Sequence, residues 1–101
     1  MIQITPRIAI DESELDITFV RSSGPGGQNV NKVATTAQLR FDVAGSRSLP
    51  DDVRERLMAR AGSRLTRAGV LVITARRFRT QDRNRLDAIE RLVEMIRRRK
   101  L

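Results

Sequence analysis

The chain has 101 residues, 40% of them hydrophobic, with 20 Lys and Arg against 12 Asp and Glu for a formal net charge of +8. That is enough for one domain with a modest core, and too apolar for wholesale disorder. Without His or Cys it cannot assemble a Ser-His-Asp triad, a Cys-His nucleophile, a usual zinc site or a disulfide framework, so any catalysis must use backbone groups, amides, carboxylates, Lys, Arg or hydroxyls, or a partner's environment.

Ile2, Ile4, Ile8 and Ile10 form a short extended lead, broken by Pro6 and closed by the acidic stretch Asp11 to Glu14. From Asp16 to Arg21 the side chains alternate, with Ile17 and Phe19 on one face and Thr18 and Val20 on the other, which predicts a strand. A loop follows, Gly24-Pro25-Gly26-Gly27-Gln28. Thr36 to Val43 alternates again, with Ala37, Leu39, Phe41 and Val43 on the apolar face, as in an antiparallel strand with one buried side. Ser48 and Asp51 stand at capping-box spacing, with Pro50 and Asp52 in the first turn, and predict a helix start. Val53, Leu57, Ala61 and Leu65 recur on one helical face, Gly62 weakens the middle and Gly69 is a natural stop. These signals suggest a helix of some 15 to 18 residues.

Val70 to Ala75 is a continuous apolar run, expected to be a strand buried on both faces or nearly so. Thr80 can cap a final helix whose stripe is Leu86, Ile89, Leu92, Val93 and Ile96, with arginines on the other faces. The order β-β-α-β-α implies an α+β fold, a small mostly antiparallel sheet with two packed helices. No apolar run reaches membrane-spanning length, the N-terminus lacks the pattern of a signal peptide, and the absence of Cys fits a cytoplasmic location.

The charge is uneven. Residues 1 to 20 hold one Arg against four acids, whereas residues 76 to 100 hold ten basic and four acidic side chains. A basic surface of this size favours a polyanion such as RNA, although a solvated helix face accounts for part of it. Arg21, Lys32, Arg76, Arg77, Arg79, Arg83 and Arg85 are the candidate phosphate contacts. Phe78, among them, has two readings, stacking on a base or filling the core.

The loop between the first two main strands carries the most information. Gly26 and Gly27 have no Cβ, so the backbone can lie directly against another molecule; Pro25 stiffens the approach and Gln28 presents an amide at the tip. An ordinary turn would explain the glycines, but not the polar Asn29-Val30-Asn31-Lys32 run that follows Gln28.

The segment Ser22-Ser23-Gly24-Pro25-Gly26-Gly27-Gln28-Asn29-Val30-Asn31-Lys32 resembles the signature of the catalytic domain of class-I peptide release factors. Arg79-Thr80-Gln81 with Asn84 and Arg85 resembles the Arg-Ser-Gln-x-x-Asn motif found downstream in that family. The likeness covers essentially the whole chain, as one domain over residues 1–101. The helix inserted between the second and third main strands is similar to that of the small ribosome-rescue branch, bacterial alternative rescue factor B and its mitochondrial large-subunit relative.

The resemblance implies codon-independent hydrolysis of the peptidyl-tRNA ester on stalled ribosomes, with Gly26, Gly27 and Gln28 as the catalytic residues and neither metal nor cofactor. It implies as partners the ribosome, through 23S-type rRNA at the peptidyl transferase centre, and peptidyl-tRNA; a monomeric state; and a glutamine methyltransferase acting on Gln28. Two departures stand out. Asn29 occupies a position where many members have His, and the sequence given ends at Arg97-Arg98-Arg99-Lys100-Leu101 where full rescue factors continue into a basic tail, which either lies beyond this sequence or is missing in a tailless relative. Two further readings stay open: a non-catalytic ribosome- or RNA-binding module, and the catalytic fragment of a codon-dependent release factor.

Overall fold

The structure, a computed structural model, describes residues 1–21 and 34–98. Gly26, Gly27, Gln28 and Lys32 fall outside the described residues. In chain order the elements are β1 (Ile2–Thr5), β2 (Ile8–Ile10), β3 (Leu15–Val20), β4 (Thr36–Asp42), α1 (Asp51–Ala61), β5 (Val70–Ala75) and α2 (Gln81–Arg97). The α+β class expected from the sequence is the one observed.

The isoleucine lead is a β-hairpin, β1 pairing antiparallel with β2. Pro6 serves the turn where it was expected to break the segment. Thr5 Oγ1 accepts from the N–H groups of Arg7 (3.2 Å) and Ile8 (3.1 Å), and proline's missing donor costs nothing at a turn position. Ile4, Ile8 and Ile10 are buried in the common core, and Arg97 Nε donates to the Ile4 carbonyl at 3.0 Å.

Strands β3, β4 and β5 form an antiparallel sheet with β4 in the centre. Its register makes three cross-strand rows on one face: Leu15–Phe41–Leu71, Ile17–Leu39–Ile73 and Phe19–Ala37–Ala75. Side chains alternate across a sheet, so this face is apolar and α2 covers it, burying Ala88, Leu92 and Ile96. The opposite face carries Thr18, Gln38 and Thr74 beside Asp16, Arg40 and Val72, all exposed or half-buried. The expectation that residues 70 to 75 are buried on both faces is therefore corrected. Leu71, Ile73 and Ala75 are buried, while Val70, Val72 and Thr74 are not, because among the described residues no second layer covers that side of the edge strand.

Helix α1 also departs from its expected limits. Its N-cap is Pro50, with no side-chain capping bond. Ser48, the expected cap, donates to Glu14 Oε2 (2.5 Å), and Ser46 donates to Oε1 (2.6 Å). The hydroxyls thus tie the loop to the start of β3. At 11 residues α1 is shorter than its periodicity suggested. Gly62, at φ +56°, ends it, in a conformation that side-chain-bearing residues rarely adopt. Leu65 then leaves the helical stripe and bridges to Leu71.

Thr80 caps α2 as expected, its hydroxyl accepting from Arg83 N–H at 3.2 Å. Leu86 is 55% exposed, contrary to its place in the predicted stripe. It stands two residues, roughly 200°, from both Asn84 and Ala88, and those two lie on the buried line that continues through Leu92 and Ile96.

Candidate functional site

Register gathers the candidate site at one end of the sheet. Val20 pairs with Thr36 and Ala37 pairs with Ala75, each the last pair of its ladder at that end. Arg21, Ala34–Thr35 and Arg76 therefore leave the sheet together. Arg21 is exposed just past β3, and the segment bearing Gly26, Gly27, Gln28 and Lys32 connects Arg21 to Ala34.

The second motif anchors this end. With Thr80 fixing the start of α2, Gln81 and Asn84 are three residues apart and share a helix face. Gln81 Nε2 donates to the Ala34 carbonyl at 2.6 Å. Asn84, with no exposed surface, gives both polar atoms of its amide a partner: Nδ2 donates to the carbonyls of Thr35 (2.7 Å) and Phe78 (3.0 Å), and Oδ1 accepts from Phe78 N–H (2.9 Å). Those bonds are what make a buried amide tolerable. The approach is possible because the neighbouring core positions Ala37, Ala75 and Ala88, each at 0% exposure, carry only a methyl group.

The basic candidates divide. Arg77 and Arg83 both lie over the Phe78 ring, at 5.0 and 4.9 Å from its centroid, where the ring quadrupole attracts a guanidinium. The half-buried Phe78 thus spaces two arginines. Arg77 Nη2 also donates to Asp87 Oδ1 at 2.9 Å. Asp87 is only 3% exposed; its Oδ2 lies 3.1 Å from Arg91 Nη2 yet makes no hydrogen bond among the described residues, since the approach meets the distance of an ion pair without the direction of a bond. Arg76 and Arg79 are exposed in the same loop. Arg85 points elsewhere, in a loose ion pair with Glu12 at 3.8 Å.

Other arginines turn inward, which no sequence pattern indicated. Arg54 donates to the carbonyls of Val43 (3.2 Å), Ser46 (2.5 Å) and Leu49 (3.0 Å), holding the loop before α1. Arg60 donates to the carbonyls of Met95 (3.0 Å) and Arg98, and Arg56 reaches that of Ile96 at 3.4 Å. These cations cap the last carbonyls of α2, where the helix dipole favours positive charge. The buried roles of Asn84 and Asp87 were also missed. For Asn84 the available signal was a polar residue in line, at four-residue steps, with Ala88, Leu92 and Ile96; Asp87 stands off that line.

Among the described residues no helix is long and apolar enough to cross a membrane. The RF-1 domain family model matches residues 2–101. Over 96 residues the chain is 48% identical to peptidyl-tRNA hydrolase ArfB of Pseudomonas putida, covering 95% of this chain and 69% of that protein. Over 82 residues it is 39% identical to large ribosomal subunit protein mL62 of Mus musculus, covering 81% of this chain and 40% of that protein. A stretch of 39 residues is 49% identical to peptide chain release factor 2 of Streptomyces avermitilis, 39% of this chain and 11% of that one.

Proposed function

Because the chain belongs to the RF-1 domain family, we propose that it hydrolyses the peptidyl-tRNA ester in the peptidyl transferase centre of stalled ribosomes, independently of the codon in the A site. The likeness to a peptidyl-tRNA hydrolase along 95% of the chain carries this reading, and the sequence itself bears Gly26-Gly27-Gln28. The domain spans residues 1–101 and works in the cytoplasm on ribosomes and peptidyl-tRNA.

In the reaction a water oxygen adds to the ester carbonyl carbon, negative charge gathers on the carbonyl oxygen, and the bond to the tRNA 3′ oxygen breaks as that oxygen takes a proton. The backbone N–H of Gln28 serves as a fixed donor to the developing charge and needs no change of protonation. Losing one such donor costs about 2.7–4 kcal/mol in other enzymes. Gly26 and Gly27 leave the backbone free of side chains at the point of approach, and the Gln28 side chain admits water while excluding larger nucleophiles. A glutamine methyltransferase modifies that side chain. Ribosomal RNA of the 23S type supplies the rest of the active site, consistent with a chain that has neither His nor Cys.

Arg21, Lys32, Arg76, Arg77, Arg79 and Arg83 make the phosphate contacts, Arg85 joining them only on leaving its loose pair with Glu12, and docking is steeply salt-dependent as a result. Support comes from the exposure of Arg21, Arg76, Arg79 and Arg83 and from the common end at which β3, β4 and β5 release their loops.

Peptide release from purified ribosomes with empty, sense-codon and stop-codon A sites tests the reading. Comparable release from all three is expected, and none without ribosomes. Release confined to stop codons would instead mark a codon-dependent catalytic fragment, and binding without release a non-catalytic module.

A further inference from the structure

We propose that Gln81 and Asn84 are positioning residues for this reaction, fixing where the Gly26-Gly27-Gln28 segment joins the sheet. The proposal rests on the hydrolase reading above. Ala34 and Thr35 lie beyond the last ladder pair of β3 with β4, Val20–Thr36, so among the described residues no neighbouring strand takes their carbonyls. Side chains 47 and 49 residues further along take them instead. The peptide unit is planar and each residue has only two soft dihedrals, so holding two successive carbonyls sets the direction in which the chain leaves the catalytic segment and joins β4.

Asn84 extends the effect. The side chain that holds Thr35 also holds both the N–H and the carbonyl of Phe78, and Phe78 spaces Arg77 and Arg83. One amide therefore sets the catalytic segment and the arginine loop in a common frame. For a catalyst whose remaining half is another molecule, that frame decides whether the Gln28 N–H meets the ester when the arginines meet phosphate. A misplacement of about 1 Å can cost on the order of a hundredfold in rate.

Gln81 gives the cleaner test because it is exposed and outside the core. Gln81→Met keeps the length and removes the donor; Gln81→Lys restores an N–H donor. For Gln81→Met, single-turnover release at saturating factor should fall about threefold to tenfold, the loss expected for one hydrogen bond. The half-saturating factor concentration and the melting temperature should stay at wild-type values, and Gln81→Lys should recover most of the maximal rate. Asn84→Asp, assayed well below its melting temperature, should lower the maximal rate further, because it removes two donated bonds.

Amide hydrogen exchange at Ala34 to Thr36, measured without ribosomes, should quicken in Gln81→Met. A wild-type maximal rate in Gln81→Met, a loss seen only in half-saturation, or unchanged exchange would each overturn the proposal. Wild-type protein that releases no peptide would refute the hydrolase reading, while the exchange measurement would still decide the anchor.

Discussion

The two ends of the sheet use the same residue types for opposite purposes. At the end where Val20 pairs with Thr36, the core narrows to Ala37, Ala75 and Ala88, polar amides bind backbone carbonyls, and Arg76, Arg77, Arg79 and Arg83 stay exposed. At the other end the core is large and apolar, with Phe41, Leu57, Leu71, Leu92 and Ile96, and Arg54, Arg56, Arg60 and Arg97 spend their donors on carbonyls. A net charge of +8 thus overstates what is offered to a polyanion. Part of it is structural, and only the register and the hydrogen bonds tell which part.

If the two ends are specialised in this way, substitutions should separate stability from activity. The largest effect belongs to the packed end: Leu92→Ala should cost about 2–5 kcal/mol of unfolding free energy, read by denaturant melting, with release per folded molecule unchanged. At the other end Gly27→Ala should slow release about 10²–10³-fold without moving the melting temperature. Gln28→Ala, which keeps its N–H, should be milder; wild-type rates in both would remove the catalytic role from that end.

The arginines sharpen the contrast. Arg54→Ala should lose about 1–3 kcal/mol of stability by orphaning the loop carbonyls, with little change in the salt dependence of docking. Arg83→Ala should do the reverse, with stability within about 0.5 kcal/mol and the slope of log affinity against log salt reduced by about 0.7–0.9. Parallel behaviour of the two would abolish the distinction. Asp11 should give the smallest effect. The Ser13 N–H holds its carboxyl below the usual 3.8, so its stabilisation is present above pH 3.8 and is lost as the pH falls through the lowered value. Asp11→Asn should remove that shallow acid dependence from the melting curve.

Much of this arrangement was legible in the sequence, for identifiable reasons. Strands β3 and β4 show period-two alternation because one face is buried and the other bare. The cap of α2 is legible because Thr80 bonds locally, to Arg83. Local periodicity failed where tertiary contacts decided. Leu65 continues the apolar stripe of α1, yet Gly62 ends the helix and Leu65 joins Leu71. Ser48 has the spacing of a cap but finds Glu14. The family was legible from Ser22 to Lys32 and Arg79 to Arg85. The task of Gln81 and Asn84 was not, since their partners Ala34 and Thr35 are distant in sequence and contribute only backbone atoms.

The row of alanines has a consequence for reading mutational maps. Ala88 is one helical turn from Asn84, and Ala37 is two residues from Thr35 in the same core. Enlarging either should lever α2 away from the sheet and lengthen the Asn84–Thr35 bond that we propose orients the loop. A survey of variants scored on peptide release would therefore rank these methyl groups beside the glycines of the loop. Their importance would be that of a shim in an instrument mount, whose thickness sets the alignment of a part it never touches.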